Sequence, residues 1–460
     1  MNRSGFTRFA YYGLAALGAL FVIAAAALTP FSGWGRGWAL PAGLLTGLSA
    51  AFFAPRLSRL NSSRAALAAV MGAALLTGFA WLMMTRVSPV LDFLRMLETA
   101  AALANGTPIP DPEYQALFPH LLGYPFVLSL FFRVFGASVA AAQALNLLFS
   151  LCIAALLFSI GKKLLGVSGG LAAGLMWALL PSHFMLLSLV ASEPLHIALT
   201  LCAARLWLWL SDRFSERFAG WALLGLIVGL SSLIRPVGPV YLVAFALCAV
   251  VFVKGPRLKK AASVALMAAV YLIVTAPMTG GFGWNLYVGM NRGSEGGWNA
   301  ADAEVLMARL DEGLSPSEIQ ARFTKDALER VGERLREGDV PRFLAEKFTR
   351  LWCQDSFTVY WLSSGAREDS PLDIPARTEW LIFLCNSAYG FLLGCCALSL
   401  FRQVKTGAGA FILPVTVLTG AVLLFLLLEA NPRYHYAGSA MLCLLAAGCV
   451  THTKNGVTNR

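Results

Sequence analysis

Residues 138–161 read SVAAAQALNLLFSLCIAALLFSIG and contain no charged side chain. A helix of this length can cross the apolar core of a bilayer, which needs about 20 consecutive apolar residues. The whole chain has the same character: 58% of its 460 residues are hydrophobic and 13% are charged, where globular proteins have about 25% charged residues. The sequence therefore predicts a polytopic membrane protein, and it excludes cytosolic enzymes, disordered regulators and secreted disulfide scaffolds.

Twelve segments are candidate membrane helices, although some of them are short. Their apolar residues run continuously rather than alternating, which favours an all-α bundle over an outer-membrane barrel. The twelve segments are residues 9–29, 38–54, 65–86, 138–161, 167–190, 194–211, 218–234, 238–253, 261–278, 380–401, 409–428 and 436–450.

Basic residues cluster in the short loops between these segments. With the N-terminus inside the cell, every cluster falls on the cytoplasmic side, as the positive-inside rule requires. The clusters are Arg3/Arg8, Arg56/Arg59/Arg64, Lys162/Lys163, Arg213/Arg217, Lys254/Arg257/Lys259/Lys260, Arg402/Lys405 and Lys454/Arg460. The sequence therefore predicts a protein of the plasma (inner) membrane with both termini in the cytoplasm. Topology explains the basic excess, which does not indicate a nucleic-acid partner.

This orientation requires that residues 117–135, LFPHLLGYPFVLSLFFRVF, do not cross the bilayer. A full crossing there would invert every later helix and move the following lysine pair to the outside. We therefore predict a re-entrant or interfacial helix on the outer face. This helix belongs to a first large outer loop, residues 87–137.

A second outer segment, residues 279–379, holds 17 of the 25 acidic residues and 12 of the 36 basic ones, a net charge of −5. Its helical periodicity, with a helix start at Ser315 and a stop at Gly338, predicts a small helical extracytoplasmic domain. This domain separates nine membrane helices in residues 1–278 from three more, with a cytoplasmic tail, in residues 380–460.

Asp92 lies just past the outer end of the third apolar segment, in RVSPVLDFLRMLETAAALANG. A carboxylate beside an apolar run at the membrane interface is costly unless it is used or paired. Partial desolvation would suit it to general-base catalysis. The alternative is a helix-start residue, whose charge complements the dipole of the amphipathic helix that follows.

The same outer loop carries Asp111, Glu113, Tyr114 and His120. Paired carboxylates can share base and orienting roles, but an Asp-Pro pair is also an ordinary turn signal. His120 opens the predicted interfacial helix, where it either hydrogen-bonds a polar ligand or is simply an interface residue.

Glu193, Arg235, Glu429 and Arg433 all fall on the predicted outer side. Basic side chains that merely snorkel would favour the cytoplasmic face. An outer cavity that contains arginines suits a phosphate, which a guanidinium binds through two hydrogen bonds. The alternative is that Glu–Arg pairs hold helices together; for Arg433 we favour phosphate binding.

The cysteines give no sign of a cofactor site. Eight of the nine lie in apolar segments and only Cys353 lies in the polar block, so neither a disulfide framework nor a metal-ligand spacing follows. The sequence calls for no cofactor, although an interfacial carboxylate site could recruit a divalent metal.

Together these stretches resemble the GT-C superfamily of integral-membrane glycosyltransferases. The nearest branch is glycosyltransferase family 39, which includes the protein O-mannosyltransferases and the lipid A aminoarabinose transferase. The resemblance covers most of residues 85–450. It rests on DFLRMLETAAALANG, FPHLLGYPFVLSLFFRVFG, SEPLHIAL, SSLIRPVG and the late RYHY turn.

The resemblance implies transfer of a sugar, with inversion, from an outer-leaflet polyprenyl-phosphate-sugar to an envelope glycan, lipid or protein. Asp92 would be the general base, with Asp111 or Glu113 as a second carboxylate. Cations would stabilise the leaving phosphate: Arg433, with Arg235, Lys347 and Arg350 as further candidates. Tyr114, His120, Glu193, Tyr434 and His435 complete the candidate substrate-binding set.

Three other functions are alternatives. A transporter or flippase of lipid-linked sugars would show repeats and charges near the bilayer midplane, whereas here the charges collect at one face. An O-antigen ligase or polymerase would use a similar donor but a more basic loop. A purely structural membrane scaffold is the third.

Overall fold

The computed structural model describes residues 62–212, 217–278, 281–406 (backbone only from 402) and 411–450, with five isolated positions between residues 13 and 25. Throughout these residues the chain is all-α: no strand forms there, and one isolated β-bridge joins Val87 to Ala366. The predicted spans 9–29 and 38–54 and both predicted cytoplasmic termini lie outside the described residues.

The described residues form eighteen α-helices, joined in part by short 3-10 helices. The α-helices are α1 (Ser63–Met84), α2 (Asp92–Asn105), α3 (Pro112–Leu117), α4 (Gly123–Phe135), α5 (Val139–Leu179), α6 (Pro181–Met185), α7 (Glu193–Asp212), α8 (Phe218–Ile234), α9 (Gly238–Val251), α10 (Arg257–Thr275), α11 (Gly283–Gly289), α12 (Ala300–Asp311), α13 (Pro316–Glu337), α14 (Val340–Trp352), α15 (Phe357–Ser364), α16 (Thr378–Thr406), α17 (Ile412–Leu427) and α18 (Tyr436–Ala447).

Five of the described helical segments are long and apolar enough to cross a membrane, and four shorter apolar helices accompany them. The chain is therefore an integral membrane protein, although the number of twelve crossings stays a prediction. The five long segments are Ser63–Met84, Val139–Leu179, Glu193–Asp212, Arg257–Thr275 and Pro375–Phe401. The shorter ones are Pro119–Phe135, Phe218–Ile234, Gly238–Val251 and Ile412–Leu427.

Helix α5 is two helices that meet at Gly166, whose φ of 80° is open to glycine but disfavoured for other residues. The two halves pack against each other as a hairpin: Trp177 Nε1 donates to Ser150 Oγ at 3.1 Å. A Cβ on Gly170 would lie 2.5 Å from the carbonyl oxygen of Phe158. Close glycine contacts of this kind are typical of helix pairs in membranes. The two predicted spans, 138–161 and 167–190, are thus joined by a tight turn.

The second half of this hairpin ends earlier than the sequence predicts. The helix stops at Leu179, and Leu180 has extended backbone angles (φ −74°, ψ 115°) because Pro181 follows it. Residues 181–188 then form two short helical turns instead of continuing to residue 190. This corner brings Ser182 and His183 into the interior of the protein, where both are buried.

Helix α18 is the centre of the bundle, since all 12 of its residues are buried. It packs on α5, α7, α16 and α17. Helix α8 packs between α7 and α10, and α9 packs on α17. The polar turn Pro432–His435 precedes α18, so the central helix fixes where that turn lies.

Residues 281–379, here called the 281–379 unit, are mainly helical. Ser315 caps α13 in a reciprocal capping box with Glu318, and Gly338 ends it in the left-handed conformation. The small apolar core of this unit includes Phe323 of α13 and also Leu117 and Phe118 of the first predicted outer loop. The two segments that the sequence assigns to one side of the membrane therefore pack together.

Candidate active site

A cavity of about 1250 Å³ lies where several helix ends meet the 281–379 unit. Its walls come from the start of α2, the end of α8, the segment after α17, and the helices α12, α14 and α15. The lining includes charged, aromatic and aliphatic groups. A large pocket with a few convergent polar groups is the usual form of a ligand site.

Asp92 is the first residue of α2 and half-exposed at the cavity wall. Leu91 before it has a φ of 47°, which turns the chain sharply into the helix. Arg95, one turn later, donates from Nη1 to Asp92 Oδ1 at 3.1 Å and from Nε to Asp111 Oδ2 at 3.1 Å. Asp92 is thus both a helix-start residue and a cavity carboxylate, so the two interpretations of this residue are compatible.

Glu193 starts α7 and is 2% exposed. Its carboxylate accepts hydrogen bonds from Arg433 through Nε and Nη2, and from Arg235 through Nη1 at 2.7 Å. A buried carboxylate is tolerated when such charge-assisted bonds satisfy it. The structure therefore brings together three of the charged residues that the sequence assigns to one side of the membrane.

The remaining nitrogen of Arg433, Nη1, lies 4.0 Å from Asp92 Oδ2. The rings of Phe93 and Phe357 lie near the guanidinium, with centroids 5.0 and 5.9 Å from Cζ. Arg433 thus has two nitrogens committed to Glu193 and one directed to the side of Asp92. Such a guanidinium is well held to bind an anion in the cavity.

Several other predicted residues line the same cavity: Tyr114, His120, Arg235, Arg350 and Tyr434. Tyr114 lies under Arg95, whose Cζ is 4.4 Å from the ring centroid, and burial raises the pKa of its phenol well above the usual value. Arg350 donates to the Ser294 carbonyl at 3.2 Å and faces Glu295 at 4.0 Å.

Four predicted residues lie away from the cavity wall. Asp111 is paired with Arg95 and lies outside the lining, and Glu113 is exposed. Lys347 is 0% exposed, and its Nζ donates to the carbonyls of Gly289 and Leu428 at 2.7 and 2.8 Å. His435 is 1% exposed and faces the protein interior. Protein groups occupy the polar atoms of Lys347 and His435 in this geometry, and substrate contact by these two residues stays a prediction.

Glu429 is a cavity residue that the sequence singled out without giving it a role. It is 7% exposed, lines the cavity, and accepts a hydrogen bond from Tyr434 Oη at 2.8 Å. Burial raises the pKa of its carboxyl above the usual value. Asp92 and Glu429 thus differ in environment: one carboxyl is half-exposed and paired with arginine, the other is buried beside a tyrosine.

The described residues contain no group of three or more His, Cys, Asp and Glu side chains that could hold a metal ion. The carboxylates of Asp92 and Asp111 face the guanidinium of Arg95, so a cation already lies between them. These donors do not fit a divalent metal, and we assign it no role.

Residues 119–280 match the family model described as dolichyl-phosphate-mannose-protein mannosyltransferase. The matched stretch begins next to His120, which lines the cavity, and ends just after α10. It includes Glu193 and Arg235.

Over this stretch, 162 of the 460 residues, the chain resembles the GT-C superfamily of glycosyltransferases. No curated protein sequence matches it significantly.

Several solved structures resemble the chain at low identity. The oligosaccharyltransferase of Archaeoglobus fulgidus, crystallised with Zn and sulfate, is 14% identical over 84% of this chain, with a TM-score of 0.49. The same archaeal enzyme, with an inhibitory peptide and a dolichol-phosphate, is 13% identical over 84%, with a TM-score of 0.46. ArnT from Cupriavidus metallidurans, bound to undecaprenyl phosphate, is 14% identical over 84%, with a TM-score of 0.37. The chain spans 48% and 50% of those oligosaccharyltransferase chains and 76% of ArnT.

Proposed function

We propose that this protein is a GT-C glycosyltransferase that transfers a sugar from a polyprenyl-phosphate-sugar to a hydroxyl group of an envelope glycan, lipid or protein. One observation carries the proposal: Arg433 Nη1 and Asp92 Oδ2 lie 4.0 Å apart at the wall of a large cavity. The pair offers a phosphate-binding cation and a proton-accepting carboxylate within one site. The family match to a mannosyltransferase that uses a lipid phosphate supports the choice of donor.

In this proposal the phosphate of the donor lipid binds Arg433 Nη1 and displaces Asp92 from it. Arg235 contributes positive charge from the same side, since it shares Glu193 with Arg433. Leu424, Phe425 and Leu428 line the cavity beside these groups and provide an apolar path for the first isoprenoid units.

Asp92 accepts the proton of the acceptor hydroxyl while the hydroxyl oxygen attacks the anomeric carbon of the donor sugar. The new carbon–oxygen bond forms on the face opposite the phosphate, so the anomeric configuration inverts. The bond between the anomeric carbon and the phosphate oxygen breaks, and polyprenyl phosphate leaves with the bonding electrons. Arg433 stabilises this developing negative charge. Electrostatic stabilisation of this kind is usually the largest single contribution to catalysis.

The acceptor approaches along the wall made by the 281–379 unit. Trp298 is 59% exposed and lines the cavity, as do Phe282 and Met307. Arg342 and Glu346 of α14 form an exposed ion pair on the same wall. An aromatic face beside polar groups suits a sugar ring or a hydroxyl-bearing chain. With the topology predicted from basic loops, this wall lies outside the plasma membrane.

Native mass spectrometry of the protein purified in mild detergent tests the donor assignment. We expect a bound mass equal to polyprenyl phosphate or its glycoside, and retention of this lipid by Asp92→Asn with loss of sugar transfer. Glu98→Gln is the matched control, because Glu98 is an exposed carboxylate on the same helix. Binding of ordinary phospholipid alone, even after polyprenyl phosphate is added, would count against the proposed function.

A further inference from the structure

A buried polar cluster lies behind the wall of the cavity, centred on Asp355, which is 0% exposed. Ser182 Oγ donates to one oxygen of its carboxylate. The other oxygen, Oδ1, lies 3.0 Å from His435 Nε2. The backbone N–H of Asp355 donates to Asn386 Oδ1 at 2.8 Å. Asp355 thus joins the corner after α5, helix α16 and the turn before α18.

The ring of His435 is held from both sides. Its Nδ1 faces the carbonyl oxygen of Pro432, three residues earlier in the same turn. A carbonyl oxygen and a carboxylate oxygen only accept, so each ring nitrogen donates in its own contact. With Nε2 on Asp355, both ring nitrogens are bonded, and the ring braces the turn Pro432–His435 against the protein interior.

Residues that follow Asp355 in the chain also contact residues beside His435. Tyr436 Oη and Thr358 Oγ1 are 2.7 Å apart and both residues are fully buried. Arg433 Cζ lies 5.9 Å from the ring of Phe357. The link between α14 and α15 therefore follows the turn before α18 closely, and Asp355–His435 is the hydrogen-bonded ionisable pair in this contact.

We propose that Asp355 and His435 are positioning residues that hold the backbone of the Arg433 turn, so that Arg433 Nη1 faces the donor phosphate. Glu193 fixes the guanidinium end of Arg433, and the Asp355–His435 pair fixes its backbone end. Neither positioning residue lines the cavity, so each acts on the ligand through Arg433 alone. This inference rests on the proposed phosphate-binding role of Arg433.

A double-mutant cycle on binding of undecaprenyl phosphate tests the pair. We expect Asp355→Ala to weaken binding about 10-fold in the wild-type background and less than about 3-fold when Arg433→Gln is already present. Asp355→Asn should bind within about 3-fold of wild type, because its amide can donate to Nε2 while its oxygen accepts from Ser182. If Asp355→Ala does not fold, His435→Gln replaces it and should weaken binding in the same way, because one amide group cannot bond Asp355 and the Pro432 carbonyl from opposite sides as the ring does.

Thr416→Val is the matched control, since Thr416 is a buried hydroxyl that bonds Ile412 within α17, outside the cavity lining. It should lower thermal stability without changing the affinity for the lipid. Unchanged affinity in Asp355→Ala, or an equal loss in both backgrounds, would overturn the positioning role. Absence of binding to the wild-type protein would instead overturn the proposed function, and this inference with it.

Discussion

Glu193 and Arg433 lie 240 residues apart in the chain and meet in a two-point ion pair in the protein interior. Arg235 donates to the same carboxylate, so one acid neutralises part of the charge of two arginines. Within this group of three side chains, the two arginines carry one more charge than their shared acid. This arrangement holds the arginines in a fixed geometry before any anion binds.

Removal of the Glu193 carboxylate should destabilise the protein strongly. Glu193→Gln leaves two guanidiniums without their shared acid, and breaking a buried pair of this kind costs about 3–5 kcal/mol. Thermal unfolding in detergent measures the loss. Asp369→Asn is the control, because the ion pair between Asp369 and Arg86 is half-exposed and should contribute about 1 kcal/mol or less. Equal shifts in both variants would contradict the central role of Glu193.

Arg433→Lys should weaken lipid-phosphate binding while preserving the charge. A lysine cannot donate to both oxygens of Glu193 and also direct a nitrogen into the cavity. Loss of one charge-assisted hydrogen bond corresponds to about 10- to 100-fold in affinity for undecaprenyl phosphate. Arg133→Lys, an exposed arginine that donates to the Leu103 carbonyl, should bind as wild type does. An Arg433→Lys protein with unchanged affinity would remove Arg433 from the phosphate site.

Lys347 should make stability depend on pH. Burial lowers the pKa of Lys347 from 10.5 to about 7 in the folded protein. From about pH 7 to about pH 10 the unfolded chain therefore binds more protons, and the contribution of this residue to the free energy of unfolding rises with pH. The neutral amine keeps two N–H donors for the carbonyls of Gly289 and Leu428.

Unfolding curves of Lys347→Met across this pH range should lack that rise relative to wild type. Lys325→Met, which removes an exposed lysine of α13, should keep it. The same pH dependence in all three proteins would show that other groups dominate.

Gly170→Ala should destabilise the hairpin of α5. The added methyl group would lie 2.5 Å from the Phe158 carbonyl oxygen, and overpacking of this kind costs about 1–3 kcal/mol. Gly72→Ala in α1 is the matched control, since nothing lies within 4 Å of its Cβ position, and it should stabilise the helix by about 0.5–1 kcal/mol. Thermal unfolding of the two variants should therefore shift in opposite directions. A Gly170→Ala protein as stable as wild type would show that the hairpin relaxes easily.

Local sequence signals predicted much of the fold. The segments 194–211 and 218–234 correspond closely to α7 and α8, and the start at Ser315 is a capping box. Apolar continuity and capping chemistry depend on near neighbours, so a single sequence displays them. The sequence predicts one helix over residues 167–190 and misses the break at Pro181, because the residues around this proline are as apolar as a membrane helix.

The site was only partly predictable. The sequence assigns the charged residues Asp92, Glu193, Arg235 and Arg433 to the outer side of the membrane, and the structure brings them together. The sequence could not show that His435 turns inward, because its partner Asp355 is 80 residues away. The burial of Lys347 was unpredictable for the same reason: it donates to two backbone carbonyls far away in the chain, and the side-chain sequence does not show where backbone carbonyls lie.

The turn at Gly166 also bears on how the protein is made. Two apolar helices joined by a single non-helical residue have no slack between them. We therefore expect the two halves of α5 to enter the lipid together, as a hairpin, rather than one helix at a time.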